Sequence, residues 1–230
     1  MDVLEQTSHI FSDMPEEAVY YELLQQGLLK EGGYSLNFDA WRILQKQLLQ
    51  LSLAWDGPDV DVYILPAAYG LVKNGVAYKN GICLFISKKV SIIECKALLT
   101  HEYNHICRRQ FVKEPPTLLD SVIIEGLAES AVNDLFGEKA ISPWTKQYSL
   151  KEAKALWEKH FIPSLNVRGL HRHYEFLYGD ESVGLPKWIG YSIGFRIVDT
   201  FQQKKGPIDI KDLLKMDATD IVEGAGFRLN

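Results

Sequence analysis

The chain has 230 residues, 47% hydrophobic and 24% charged, enough to bury a full core as one domain or as lobes sharing a cleft. A net charge of -5 argues against the basic face of a nucleic-acid binder, and no apolar run approaches the roughly 20 residues that span a bilayer. The opening Met1-Asp2-Val3-Leu4-Glu5-Gln6 has neither the basic nor the apolar region of a leader, which predicts a cytoplasmic protein.

In chain order, Asp13-Met14-Pro15-Glu16 reads as a helix start with Asp13 as cap, running to about Lys30 and stopping at Gly32-Gly33. A second helix is expected from near Asn37. Trp41, Leu44, Leu48, Leu51 and Trp55 follow helical spacing and predict one buried face, and Asp56-Gly57-Pro58 ends it. Asp59 to Leu65 alternates and is rich in β-branched and aromatic residues, so it predicts a strand. Val76 to Tyr78 and Ile82 to Ile86 flank Lys79-Asn80-Gly81, a hairpin signal centred on Asn-Gly.

Ser91-Ile92-Ile93-Glu94 is a capping box that opens a helix to about Gln110. Pro115-Pro116 breaks the chain, and a further helix from about Leu118 to Phe136 ends at Gly137. Helices are also expected over Ser149 to Phe161 and Pro186 to Gln203, with two short ones near Asp209 to Met216 and Ala218 to Gly224. Strands confined to the middle, with helices on either side, indicate an α+β architecture. The divisions expected are an N-terminal helical segment (1–57), a central sheet with two site-bearing helices (58–137), and a C-terminal helical lobe (138–230) closing a cleft. Cys83, Cys95 and Cys107 show no CxxC spacing and read as reduced, buried residues.

The chemistry lies in His101-Glu102-Tyr103-Asn104-His105. On a helix, residues four apart share a face, so both imidazoles can reach one ion. Glu102 lies one step round, within reach of a water held by that ion, as in a zinc hydrolase. A catalytic zinc site takes three protein ligands and leaves a position for water, whose pKa falls to about 7. His101, His105 and Glu125 are assigned as ligands of one Zn²⁺, and Glu102 as the base that moves the proton from water to the leaving amine. Glu129, one turn beyond Glu125, is the candidate acceptor for a ligand histidine's second N–H. Glu125 and Glu129 read alternatively as a solvated acidic stripe. Their neighbours Val122, Ile123, Ile124, Leu127, Ala128, Ala131 and Val132 argue instead for a helix buried nearly all round, where carboxylates need partners.

For the oxyanion donor, Tyr191 is the first choice, although a core tyrosine between Trp188 and Phe195 fits equally. Arg196 reads as a partner of a substrate carboxylate or of Asp199. His171-Arg172-His173 is an alternative donor source, both rings sharing a face if the segment is extended. Either strand of the hairpin is a candidate edge for accepting an extended peptide.

HEYNH followed by EGLAE resembles the gluzincin metallopeptidases, with thermolysin-like ligand spacing and an Glu-Gly-Leu-Ala stretch similar to that of the M1 aminopeptidases. His-Glu-Tyr-x-His with Arg108, IIEGLAES and Gly190-Tyr191-Ser192-Ile193-Gly194-Phe195 more closely resembles the YjaZ-like predicted zinc-dependent proteases. The resemblance covers about Val60 to the C-terminus. It implies a zincin-like fold, with a small sheet over the metal-bearing helix, and an activity on peptides or partly unfolded protein. A metal-binding regulatory or chaperone-like module without turnover is a reading from a different class. Hydrolysis of a non-peptide amide is a third.

Overall fold

The computed structural model describes residues 7–11, 14–26, 38–67 and 70–230. The chain forms two compact units, Met1–Ile106 and Cys107–Asn230, with the division falling inside one helix. The architecture is α+β: helices and one small mixed sheet among the described residues. No helix among the described residues is long and apolar enough to cross a membrane.

In the first unit, α1 (Glu16–Gln25) is preceded by Pro15 in an extended conformation, with no side-chain cap bond. The expected cap Asp13 and the expected stop at Gly32-Gly33 lie outside the described residues. Helix α2 (Ala40–Trp55) is capped by Asp39, whose side chain accepts from the Arg42 amide at 3.0 Å. Asp56 ends it in the left-handed region, as its place before Gly57-Pro58 suggests. Its buried face comprises Ala40, Leu44, Gln47, Leu51 and Trp55, which corrects the expected stripe. Trp41 is 57% exposed, because the face turns toward Ala40 and Gln47 rather than toward the bulkier ring.

The sheet has strand order β1-β3-β2, with β1 (Asp61–Pro66) parallel and β2 (Lys73–Ala77) antiparallel to the central β3 (Gly81–Ile86). Every residue of β3 is buried, as a two-sided central strand requires. The edge of the hairpin is therefore β2, which starts earlier than the expected Val76. The turn is centred on Lys79-Asn80, because the Tyr78 amide donates to the Gly81 carbonyl at 2.8 Å and Gly81 already belongs to β3. One core of this unit gathers Ile10, Phe11, Val19, Leu23, Leu65, Ala67, Cys83 and Phe85.

Helix α3 (Ile92–Arg109) leads from the sheet into the second unit. There, α4 (Leu118–Phe136) and α7 (Ile189–Lys205) form the centre of a large apolar core that includes Val122, Leu127, Trp157, Phe161, Ile193 and Val198. The two helices run side by side in the same direction. A Cβ on Gly126 would lie 2.2 Å from the Gly194 carbonyl oxygen, and one on Gly194 would lie 2.2 Å from that of Val122. Eight residues beyond Val122 and Gly194, Gln202 donates to the Ser130 hydroxyl at 2.7 Å. Only glycine permits that backbone approach, so the Gly in EGLAE and the second Gly in the 190–195 run are two sides of one contact.

The remaining helices depart from their sequence pattern chiefly at their ends. α5 (Leu150–Leu156), with a Ser149/Glu152 capping box, passes into a π-helical turn over Trp157–Phe161. α6 (Tyr174–Tyr178) follows a 3-10 turn over Leu170–Arg172. α7 begins at Ile189 rather than Pro186, with Trp188 in the left-handed region as its cap. α8 (Ile210–Leu213) and α9 (Ala218–Ala225) close the chain.

Candidate metal centre

Ser91 and Glu94 start α3 as expected. The Ser91 amide donates to Glu94 Oε2 at 2.8 Å, and the Glu94 amide donates to Ser91 Oγ at 3.2 Å. Hydrogen bonding of the Glu94 carboxylate to the Ser91 side chain first, and to the Ser91 amide next, holds its pKa below the ordinary value. Two turns later His101 and His105 lie on one face, their rings edge-to-face with centroids 4.6 Å apart. His105 is buried and His101 half-buried. At the helix end, buried Arg108 donates through Nη1 to the carbonyls of Leu214 (2.6 Å) and Met216 (2.7 Å). It thus fastens the last turn of α3 to the end of α8, a structural task.

Glu102 is 5% exposed and lies against Gly75 of the edge strand β2. A Cβ on Gly75 would approach Glu102 Oε1 to 2.6 Å. Burial pushes the Cys83 thiol on β3 up to about 12, with the Glu102 charge adding to the shift. Tyr78 is likewise raised, by burial first and then by the charge of Glu22 and its hydrogen bond to it, with Glu102 a smaller contribution.

Helix α4 opens with a Thr117/Asp120 capping box. Its stretch from Ser121 to Val132 is buried or half-buried on every side, so the reading of Glu129 as part of a solvated stripe fails: it is 1% exposed. Both Glu129 oxygens accept from Ser142, Oε2 from the amide at 2.9 Å and Oε1 from the hydroxyl at 2.6 Å. Glu125, one turn earlier, is half-buried.

Among the described residues, one group could hold a metal ion: His101, His105 and Glu125, each offering one ligand atom, all within 4.8 Å of one another. Zinc takes nitrogen at about 2.0–2.1 Å and carboxylate oxygen at about 2.0–2.2 Å, which puts two tetrahedral ligands roughly 3.4 Å apart. Two imidazoles and a carboxylate are also a donor set that zinc accepts. The residues fit the ion.

The other sequence candidates are placed as follows. Tyr191, half-buried on the first turn of α7, stands in an aromatic group with Trp144, Tyr178 and Trp188 at centroid distances of 6.1, 5.4 and 5.5 Å. Arg196 donates through Nε and Nη2 to the Tyr148 carbonyl at 3.1 and 3.0 Å, rather than to Asp199. The extended geometry considered for His171-Arg172-His173 is corrected by the 3-10 turn, which separates the rings: His171 is exposed and His173 fully buried. His173 engages the Val167 carbonyl through Nε2 (2.9 Å) and the Ser121 hydroxyl through Nδ1 (2.8 Å). That ring is committed to the core. Two residues at the centre escaped the sequence reading. Ser142, which grips Glu129, carries no spacing signal. Gly75 did carry one, since glycine inside a strand marks a close approach.

A model of the family described as "Predicted Zn-dependent protease (DUF2268)" matches residues 40–223. The chain is 35% identical over 186 residues to the YjaZ protein of Bacillus subtilis (strain 168), covering 75% of this chain and 68% of that one. It is 25% identical over 142 residues to the YjfC protein of the same strain, covering 57% of this chain and 47% of that one. The chain belongs to the family of predicted Zn-dependent proteases.

Proposed function

We propose that the protein is a gluzincin-type zinc peptidase that hydrolyses peptide bonds in peptides or partly unfolded protein. The observation that carries this reading is the convergence of His101, His105 and Glu125 within 4.8 Å, on a chain whose family is described by zinc dependence. A single bound zinc would act as a Lewis acid and bring the pKa of a water to about 7. Glu102 takes the proton of that water on a carboxylate oxygen as the water attacks the scissile carbonyl, and returns it to the departing amine nitrogen. The Tyr191 hydroxyl donates to the oxygen that gains charge, from a ring held among three other aromatics. Glu129, fixed by Ser142, accepts the outer N–H of a ligand histidine and sets its ring plane. The three buried cysteines support a reducing, cytoplasmic setting.

A non-catalytic metal module has no use for a buried carboxylate beside the ligands, and Glu102 supports the peptidase reading over it. The test is metal stoichiometry with cleavage profiling. One zinc per chain and chelator-sensitive cleavage of a peptide library are expected, with zinc lost from His105→Ala and Glu125→Ala. Parental zinc content in both variants would overturn the ligand set.

A further inference from the structure

We propose that Gly75 is a positioning residue for Glu102: its missing side chain is the space in which the Glu102 carboxylate is held. The inference rests on the reading of Glu102 as the base and deepens it. Gly75 lies in the middle of β2, paired with Leu84 of β3 between the Asn74–Phe85 and Val76–Cys83 pairs. A strand interior disfavours glycine, which pays a larger ordering cost than alanine and adds nothing to packing. Its φ is not in the positive region, so no backbone need explains it. Neighbouring space does. A Cβ at residue 75 would lie 2.6 Å from Glu102 Oε1, 2.7 Å from Cγ and 2.9 Å from Cδ.

The contact with Cγ is the decisive one. A clash with the carboxylate tip alone is relieved by rotating the end of the side chain. Cγ, by contrast, is placed by χ1, so relief requires a different rotamer and moves the whole carboxylate. Glu102 is 5% exposed, which leaves no open solvent for it to swing into. Nor can the central strand yield, because Cys83, Leu84 and Phe85 are each fully buried. The alanine methyl and the present Glu102 rotamer are mutually exclusive.

The test is a double-mutant cycle that needs no substrate. Gly75→Ala is made in the parent and in Glu102→Ala, and unfolding midpoints are compared. With Glu102 truncated, Gly75→Ala should raise the midpoint, as strand propensity predicts; in the parent it should lower it or raise it less. Equal shifts in the two backgrounds would overturn the proposal, as would a Gly75→Ala crystal structure with Glu102 in its parental rotamer. For the best-cleaved member of a quenched fluorescent peptide library, Gly75→Ala should keep parental zinc content and KM while kcat falls on the order of 100-fold, the cost of a misplacement near 1 Å. Coupling in stability together with full turnover by Glu102→Gln would keep Gly75 as the positioning residue and remove Glu102 as base. No coupling, parental kcat in Gly75→Ala and an inactive Glu102→Gln would do the reverse.

Discussion

Two glycine contacts, one in each unit, do opposite work. At Gly126 and Gly194 the missing side chains let two helix backbones approach, and whatever replaced a hydrogen there would meet main-chain oxygen at 2.2 Å. At Gly75 the missing side chain admits a single carboxylate, and what a methyl would meet is a side chain that has other rotamers. The first pair is about holding the second unit together. The other is about where a proton acceptor stands. The lesson is that a glycine inside a regular element is read by what its absent Cβ would strike.

The contrast can be broken most sharply at the helix pair. Neither Gly194→Ala nor Gly126→Ala can be relieved by a rotamer change, so each should exceed the usual overpacking cost of about 1–3 kcal/mol and show as a large drop in the urea midpoint. A drop no greater than that of Gly75→Ala, whose clash a change of the Glu102 rotamer relieves, would erase the distinction. Next in size is Ser142→Ala. It removes the hydroxyl donor from the buried Glu129 carboxylate while the main-chain amide stays, and should cost about 1–3 kcal/mol, with Ser142→Thr restoring part of the loss.

Smaller again is Ser91→Ala, which removes a helix cap and should cost about 1 kcal/mol near neutral pH. The Glu94 carboxyl has a depressed folded pKa, so its contribution is present above the ordinary carboxylate range and is lost as pH falls through the folded value. The difference between parent and Ser91→Ala should therefore shrink in acid, which a pH series of unfolding midpoints reads directly. The least perturbing check is chemical: Cys83, buried and with its thiol near 12, should resist iodoacetamide at pH 8 until the first unit unfolds.

Much of the site was legible because its signals are local. The Ser91/Glu94 box, the i, i+4 histidines and the apolar surround of Glu125 and Glu129 each depend on one helix, and one helix has one period. The limits Leu118–Phe136 follow from the same regularity. Trp41 misled because spacing cannot say whether a small residue such as Ala40 or a large one beside it faces inward. The segment from 138 to 188 was legible only at its Ser149/Glu152 start, since turns of three to five residues have no period to detect. Ser142 and Gly75 act across the fold on residues remote in sequence, and only coordinates connect them.

The central claim is that this site uses Glu102 to move the proton of a water held beside His101, His105 and Glu125. Its most direct test is the peptide-library cleavage rate of zinc-loaded Glu102→Gln against the zinc-loaded parent at equal metal content. The account predicts one zinc in each protein and hydrolysis by the parent alone, with the variant slowed by several orders of magnitude. Equal rates from the two proteins would contradict it.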